Sequence, residues 1–265
     1  MKNQLILWGS VAVFATFLIS CKPKPSEPTL FTQLDSTQTG ISFVNKLSPN
    51  DRLNIIDYLY YYNGGGVAAG DVNNDGFTDL FFVSNQGKNR LYLNKGKEFQ
   101  FEDVSQKAGI EGFAEWKTGV TMADVNGDGW LDIYVCAVSN YRGLEGANEL
   151  YINNHDGTFS EKAAEYGLAF SGFSTQAAFF DYDHDGDLDC YLLNHAVHTS
   201  RSYDRVNTRM LPDSSAGDYL YRNELVSQHS KSGTTRFTNV SKESGIFQAA
   251  MGYGLGLSVA DFNND

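Results

Sequence analysis

DVNNDGFTD, residues 71–79, is the stretch that decides the fold. Oxygen-bearing side chains stand at its positions 1, 3, 5 and 9 (Asp71, Asn73, Asp75, Asp79), with Gly76 at position 6. The pattern returns as DVNGDGWLD at 124–132 and DYDHDGDLD at 181–189, and a fourth copy begins at Asp261, Asn263 and Asp265. A hard cation such as Ca²⁺ takes six to eight oxygens from a tightly turned loop of this kind. One such string alone reads as a surface turn rich in Asp, Asn and Gly. Three copies, each followed by a similar apolar run, read as cation loops.

Position 12 separates two kinds of cation loop. An EF-hand closes its cage there with a bidentate Glu and continues as a helix. Here the position holds Phe82, Val135 and Leu192, each inside a β-branched or aromatic run with strand character. The last carboxylate therefore falls to position 9, and the backbone carbonyl of position 7 completes the set. The expected ligands are Asp71, Asn73, Asp75, the Phe77 carbonyl and Asp79. The second loop supplies Asp124, Asn126, Asp128, the Trp130 carbonyl and Asp132, and the third Asp181, Asp183, Asp185, the Asp187 carbonyl and Asp189. Carboxylates a few ångströms apart repel by about 1 to 4 kcal/mol per pair, so the loops are expected to loosen without a cation.

Each loop sits in a longer repeat. An apolar strand enters it (66–71, 119–124, 177–181, 257–261) and a second strand leaves it; LYLN, LYIN or LYRN follows at 91–94, 150–153 and 220–223. The repeat then ends in Phe-x-x-x-Ser/Ala running to Gly-Ile or Gly-Leu (101–110, 159–168, 237–246). That makes four short strands per repeat. The loops start 53, 57 and 80 residues apart, which fits a four-stranded β-propeller blade better than a solenoid coil. HDGT at 155–158 carries the Asp-Gly signal of a hairpin between strands three and four, which makes His155 a turn residue rather than a ligand.

These residues resemble the FG-GAP or VCBS repeat propellers, whose calcium-loop blades also occur in the integrin α head. YYNGGGVAAGDVNNDG (61–76) and NRLYLNKG (89–96) are similar to a bacterial set akin to cartilage acidic protein, whose members often carry an ASPIC/UnbV domain further on. The resemblance covers 31–265 and implies a calcium role for the ligand positions named above, although no repeat keeps the FG-GAP dipeptide intact. The expected fold is all-β, a propeller of three blades plus the start of a fourth. Phe31 to Leu34, leading to Gly40-Ile41, looks like a fourth strand without its first three, the kind that completes the last blade of a closed ring. The chain is expected to be an amino-terminal fragment.

Lys2 followed by an apolar stretch from Leu5 to Ile19 has the layout of a secretory signal over 1–20 and is short for a membrane span. LISC at 18–21 resembles a lipobox, which makes Cys21 the expected lipid anchor and the Pro-rich 21–30 a tether. Localisation at the cell envelope of a Gram-negative bacterium, at the outer membrane or cell surface, follows as an expectation, with membrane contact through the lipid only. Cys136 and Cys190 remain as two buried free thiols, facing opposite sides of equivalent strands. A net charge of −12 argues against nucleic acid as a partner.

The third repeat carries about 25 extra residues within 194–219, including His195, His198, Arg201, Arg205 and Arg209. A solvated loop packed on its own blade is the plainer reading, and an anion or metal site the sharper one. Asn63 and the three following glycines precede a strand, not a helix, and read as a tight turn rather than a phosphate cradle. There is no Gly-x-Ser-x-Gly, no His-Glu-x-x-His and no carboxylate pair outside the loops. A non-enzymatic binder of a protein or glycan partner is therefore expected. The alternative is an extracellular enzyme acting on polysaccharide with its site on 194–219.

Overall fold

The computed structural model describes residues 30–97, 99–197, 211–225 and 236–263. The signal and tether before residue 30, Cys21, His198, the three arginines of the insertion and Asp265 lie outside them. The chain divides at Asp35/Ser36, and the repeats all belong to the second unit. Among the described residues no helix is long and apolar enough to cross a membrane.

Among the described residues, twelve strands form three four-stranded antiparallel sheets, each in simple chain order. Blade 1 comprises β1 (Val67–Gly70), β2 (Asp79–Phe82), β3 (Arg90–Asn94) and β4 (Phe101–Asp103); blade 2 comprises β5 (Lys117–Ala123), β6 (Asp132–Ala137), β7 (Glu149–Asn153) and β8 (Phe159–Glu161). Blade 3 comprises β9 (Ser174–Phe180), β10 (Asp189–Asn194), β11 (Tyr219–Asn223) and β12 (Phe237–Asn239). Three four-residue helices complete the regular structure of the described residues: α1 (Ser36–Thr39), α2 (Ser105–Ala108) and α3 (Ala163–Tyr166). The fold is the expected array of propeller blades, and the loops join the first and second strands of each.

The blades stack through their faces. One apolar layer lies between sheets 1 and 2 around Phe81, Leu91, Ile133 and Val135, and another between sheets 2 and 3 around Tyr134, Leu150, Leu192 and Phe237. Blade 2 has a neighbour on each side, so every residue of β6 and β7 is buried, whereas β2 of blade 1 alternates. Cys136 and Cys190 meet in the second layer, both free. The odd difference in their offsets turns one toward the next blade and the other back toward the previous one. The innermost strands lie so close that a Cβ on Gly119 would stand 2.3 Å from the Thr175 carbonyl oxygen.

Each blade hands over to the next through a recurrent contact. Gly109 and Gly167 close α2 and α3 in the left-handed region (φ 77° and 80°). A Cβ there would stand 3.5 Å from the Phe159 carbonyl oxygen and 2.8 Å from that of Phe237, the first residue of the next blade's outer strand. Gly40 (φ 77°) repeats the arrangement after α1, 2.6 Å from the Phe101 carbonyl oxygen. Residues 36–41 therefore sit on blade 1 as the tail of one blade sits on the next.

Two expected strands are absent. Residues 31–34 form no strand, although the turn after them matches its counterparts. Residues 257–261 form none either, whereas in the complete repeats this segment pairs with the strand that leaves the loop.

Candidate metal centre

The three loops share one backbone. Position 4 is left-handed in each (Asn74 φ 56°, Gly127 φ 71°, His184 φ 60°), as is the glycine at position 6 (87°, 87° and 98°). A Cβ on Gly76, Gly129 or Gly186 would meet nothing within 4 Å, so the torsion angle, not crowding, demands glycine there. Position 1 ties the turn: Asp71 accepts the N–H groups of Asp75 (3.1 Å) and Gly76 (2.7 Å). Asp124 and Asp181 do the same for residues 128 and 129 and residues 185 and 186.

The ninth residue is the buried one. Asp79, Asp132 and Asp189 begin the second strand of each blade and are 0 to 1 % exposed. One oxygen of each accepts the N–H of loop position 2 (Val72 3.0 Å, Val125 3.1 Å, Tyr182 2.9 Å). The other accepts the N–H of the Asn that ends the third strand (Asn94 2.8 Å, Asn153 2.9 Å, Asn223 2.8 Å). Burial pushes the Asp132 carboxyl up to about 7 and that of Asp189 to about 6 against these donors, with neighbouring loop carboxylates adding to the rise. Asp79 shifts the same way for the same reasons. A divalent cation reverses that balance and holds such groups ionised.

The loops differ at position 3. Asn73 and Asn126 donate to Asp75 and Asp128 (2.9 and 2.8 Å), relieving one carboxylate oxygen. Asp183 cannot donate, and in the third loop Asp181, Asp183 and Asp189 bring carboxylate oxygens within 4.8 Å of one another. Charge, oxygen-only donors and a strand-anchored ninth carboxylate fit a hard divalent cation such as Ca²⁺. In the fourth copy Asp261 accepts the Asn263 N–H at 3.2 Å; both residues are exposed.

Two histidines occupy places that spacing alone did not reveal. His155 lies in its hairpin turn, yet its Nε2 is 2.9 Å from Asp128 Oδ2 and its ring stacks on Trp130 at 4.8 Å. Burial raises the Asp128 carboxyl, but the hydrogen bonds from His155, Asn126 and the Trp130 N–H outweigh it and leave the group below the ordinary range. His195 overturns the solvated-loop expectation for the start of the insertion. It directly follows β10, is 1 % exposed, and its ring nitrogens lie 3.0 Å from the Tyr58 hydroxyl and 2.9 Å from Thr175 Oγ1. Burial lowers its pKa to about 4. These side chains wall a cavity of about 370 Å³ with Tyr60, Trp116 and Gln176, at the end of β1, β5 and β9 opposite the acidic loops. Gly64, Gly65 and Gly66 form another wall, leading from a turn into β1.

Comparison with known proteins agrees with this architecture. An FG-GAP-like repeat model matches residues 71–135 and 136–192. Cartilage acidic protein 1 of Xenopus tropicalis is 28 % identical over 174 residues, covering 63 % of this chain and 25 % of that protein. The Homo sapiens protein is 27 % identical over 142 residues (53 % and 20 %), and that of Mus musculus 28 % over 145 (53 % and 21 %). The matched part thus spans a quarter or less of these relatives. With three four-stranded blades built on its acidic loops, the chain carries two FG-GAP-like repeats and is similar to the cartilage acidic proteins.

Proposed function

We propose that this chain is a calcium-stiffened scaffold of the cell envelope or extracellular space that engages a protein or glycan partner through the loops at the end of its blades opposite the acidic loops. The observation that carries the reading is the loop built three times over, each with a buried ninth carboxylate (Asp79, Asp132, Asp189). Ca²⁺ in the loops would neutralise carboxylates that the fold has taken out of water. Stiffness here serves presentation, because each loop joins the two inner strands of its blade. The likeness to FG-GAP repeats supports an interaction role, and the lipobox-like Cys21 supports a lipid tether.

The cavity beside His195 and Tyr60 is the natural centre of the partner face, since the opposite ends of the inner strands are given to the acidic loops. The engagement of both His195 ring nitrogens by Tyr58 and Thr175 weighs against an acid–base role for this residue in the alternative enzymatic reading. Calorimetric titration of the full chain with Ca²⁺ tests the cation part. Binding heat and a higher melting temperature are expected, and no heat together with no thermal shift would refute it. A glycan and protein array probed with and without chelator tests the partner part; retention lost with Tyr60→Ala supports the assigned face.

A further inference from the structure

The Asn that ends the third strand of one blade also holds the acidic loop of the blade before it. Asn153 Nδ2 donates to the Val72 carbonyl (2.8 Å) in the first loop and to the Leu131 carbonyl (3.1 Å) in the second. Asn223 repeats this one blade on, donating to the carbonyls of Val125 (3.0 Å) and Leu188 (3.1 Å). Asn153 is 4 % exposed and Asn223 fully buried. Their own N–H groups are those that Asp132 and Asp189 accept, while the N–H groups of Val72 and Val125 go to Asp79 and Asp132. An unbroken chain of hydrogen bonds thus runs Asp79, Val72, Asn153, Asp132, Val125, Asn223, Asp189. A second link, from Asn74 Nδ2 to the Gly129 carbonyl (3.2 Å), ties the first two loops directly.

We propose that the three loops form one coupled array, in which ordering of one loop raises the cation affinity of the next, with Asn153 and Asn223 as the positioning residues. The physical ground is shared ordering. Fixing Asp189 fixes the Asn223 backbone, and the Asn223 side chain then holds Val125, whose N–H aims Asp132. A loop already ordered by its neighbour has less conformational entropy to lose when it binds. Buried hydrogen-bond chains of this kind also polarise one another. The inference rests on the calcium reading above.

Trp130, at position 7 of the second loop, reports on that loop as the Ca²⁺-dependent change in emission over the constant background of Trp8 and the buried Trp116. The test titrates Ca²⁺ into the full chain and follows this emission in wild type, Asp183→Ala, Asn223→Ala and the double variant. Asp183 is an exposed third-loop residue with no hydrogen bond within the described residues, so its removal acts directly on that loop and reaches the second loop only through the coupling. Asp183→Ala is expected to raise the second-loop midpoint about five-fold or more, and to shift it less than about two-fold once Asn223 is Ala. An unmoved midpoint in Asp183→Ala, or equal shifts in both backgrounds, would overturn the coupling. Complete lack of response to Ca²⁺ in wild type would overturn the calcium reading as well, which keeps the two failures distinct. Circular dichroism checks each variant; if Asn223→Ala does not fold, Asn73→Ala with Asn153→Ala runs the same cycle between the first two loops, read again at Trp130.

Discussion

At the scale of the residue, position 6 of each loop is constrained by torsion and position 9 by burial. Gly129→Ala forces a side chain into the left-handed region with no clash to relieve, so the expected cost is about 1 to 2 kcal/mol, read as a lower urea midpoint with an unchanged m-value. His195 makes the opposite kind of statement. Its folded pKa of about 4 lies below the ordinary 6.5, so the unfolded chain binds a proton that the folded chain refuses. That contribution is fully present above pH of about 6.5 and declines as pH falls toward 4. Between pH 7.5 and 4.5, wild type should lose about 2 to 3 kcal/mol more stability than His195→Gln in urea unfolding. Equal losses would place the histidine outside the buried network it forms with Tyr58 and Thr175.

At the scale of the element, the strands were legible because each repeat states its pattern in the same order. β3, β7 and β11 fall on the LYxN strings, and β2, β6 and β10 on the runs that follow the loops. The entering strands β5 and β9 begin earlier than their apolar cores suggest, at Lys117 and Ser174, because pairing with the second strand of the same blade resumes beyond a register shift, Lys117 opposite Ala137 and Ser174 opposite Asn194. Polar residues of these extensions also reach the next blade, Thr118 Oγ1 donating to the Ser174 carbonyl at 2.8 Å. The expected strands at 31–34 and 257–261 failed because pattern alone does not make a ladder. The Asn of LYxN was visible as a repeat, but its reach into the preceding loop was not, since that contact is made 81 residues away. The blade interface invites a chemical test. Burial pushes the Cys136 and Cys190 thiols up, so both should resist a thiol reagent in the native protein and react fully after denaturation. Rapid native labelling would mean that blades 2 and 3 separate readily.

At the scale of the molecule, three blades share two apolar layers, a recurrent glycine handover and a hydrogen-bonded line through their acidic loops. The handover predicts that Gly167→Ala, with Phe237 backbone oxygen 2.8 Å from the added carbon, destabilises more than Gly129→Ala, where the space is open. Differential melting of the two variants under the same conditions decides it. Much of the chain's acidity sits in these loops, where a cation would offset it, so fold and ligand reading converge there. Thermal unfolding of the full chain in excess Ca²⁺ and in excess chelator tests that convergence most directly. Saturation at about 100 times the dissociation constant stabilises by about 2.7 kcal/mol per site, so the account predicts a melting temperature higher by at least several degrees with calcium. Superimposable melts in calcium and chelator would contradict it.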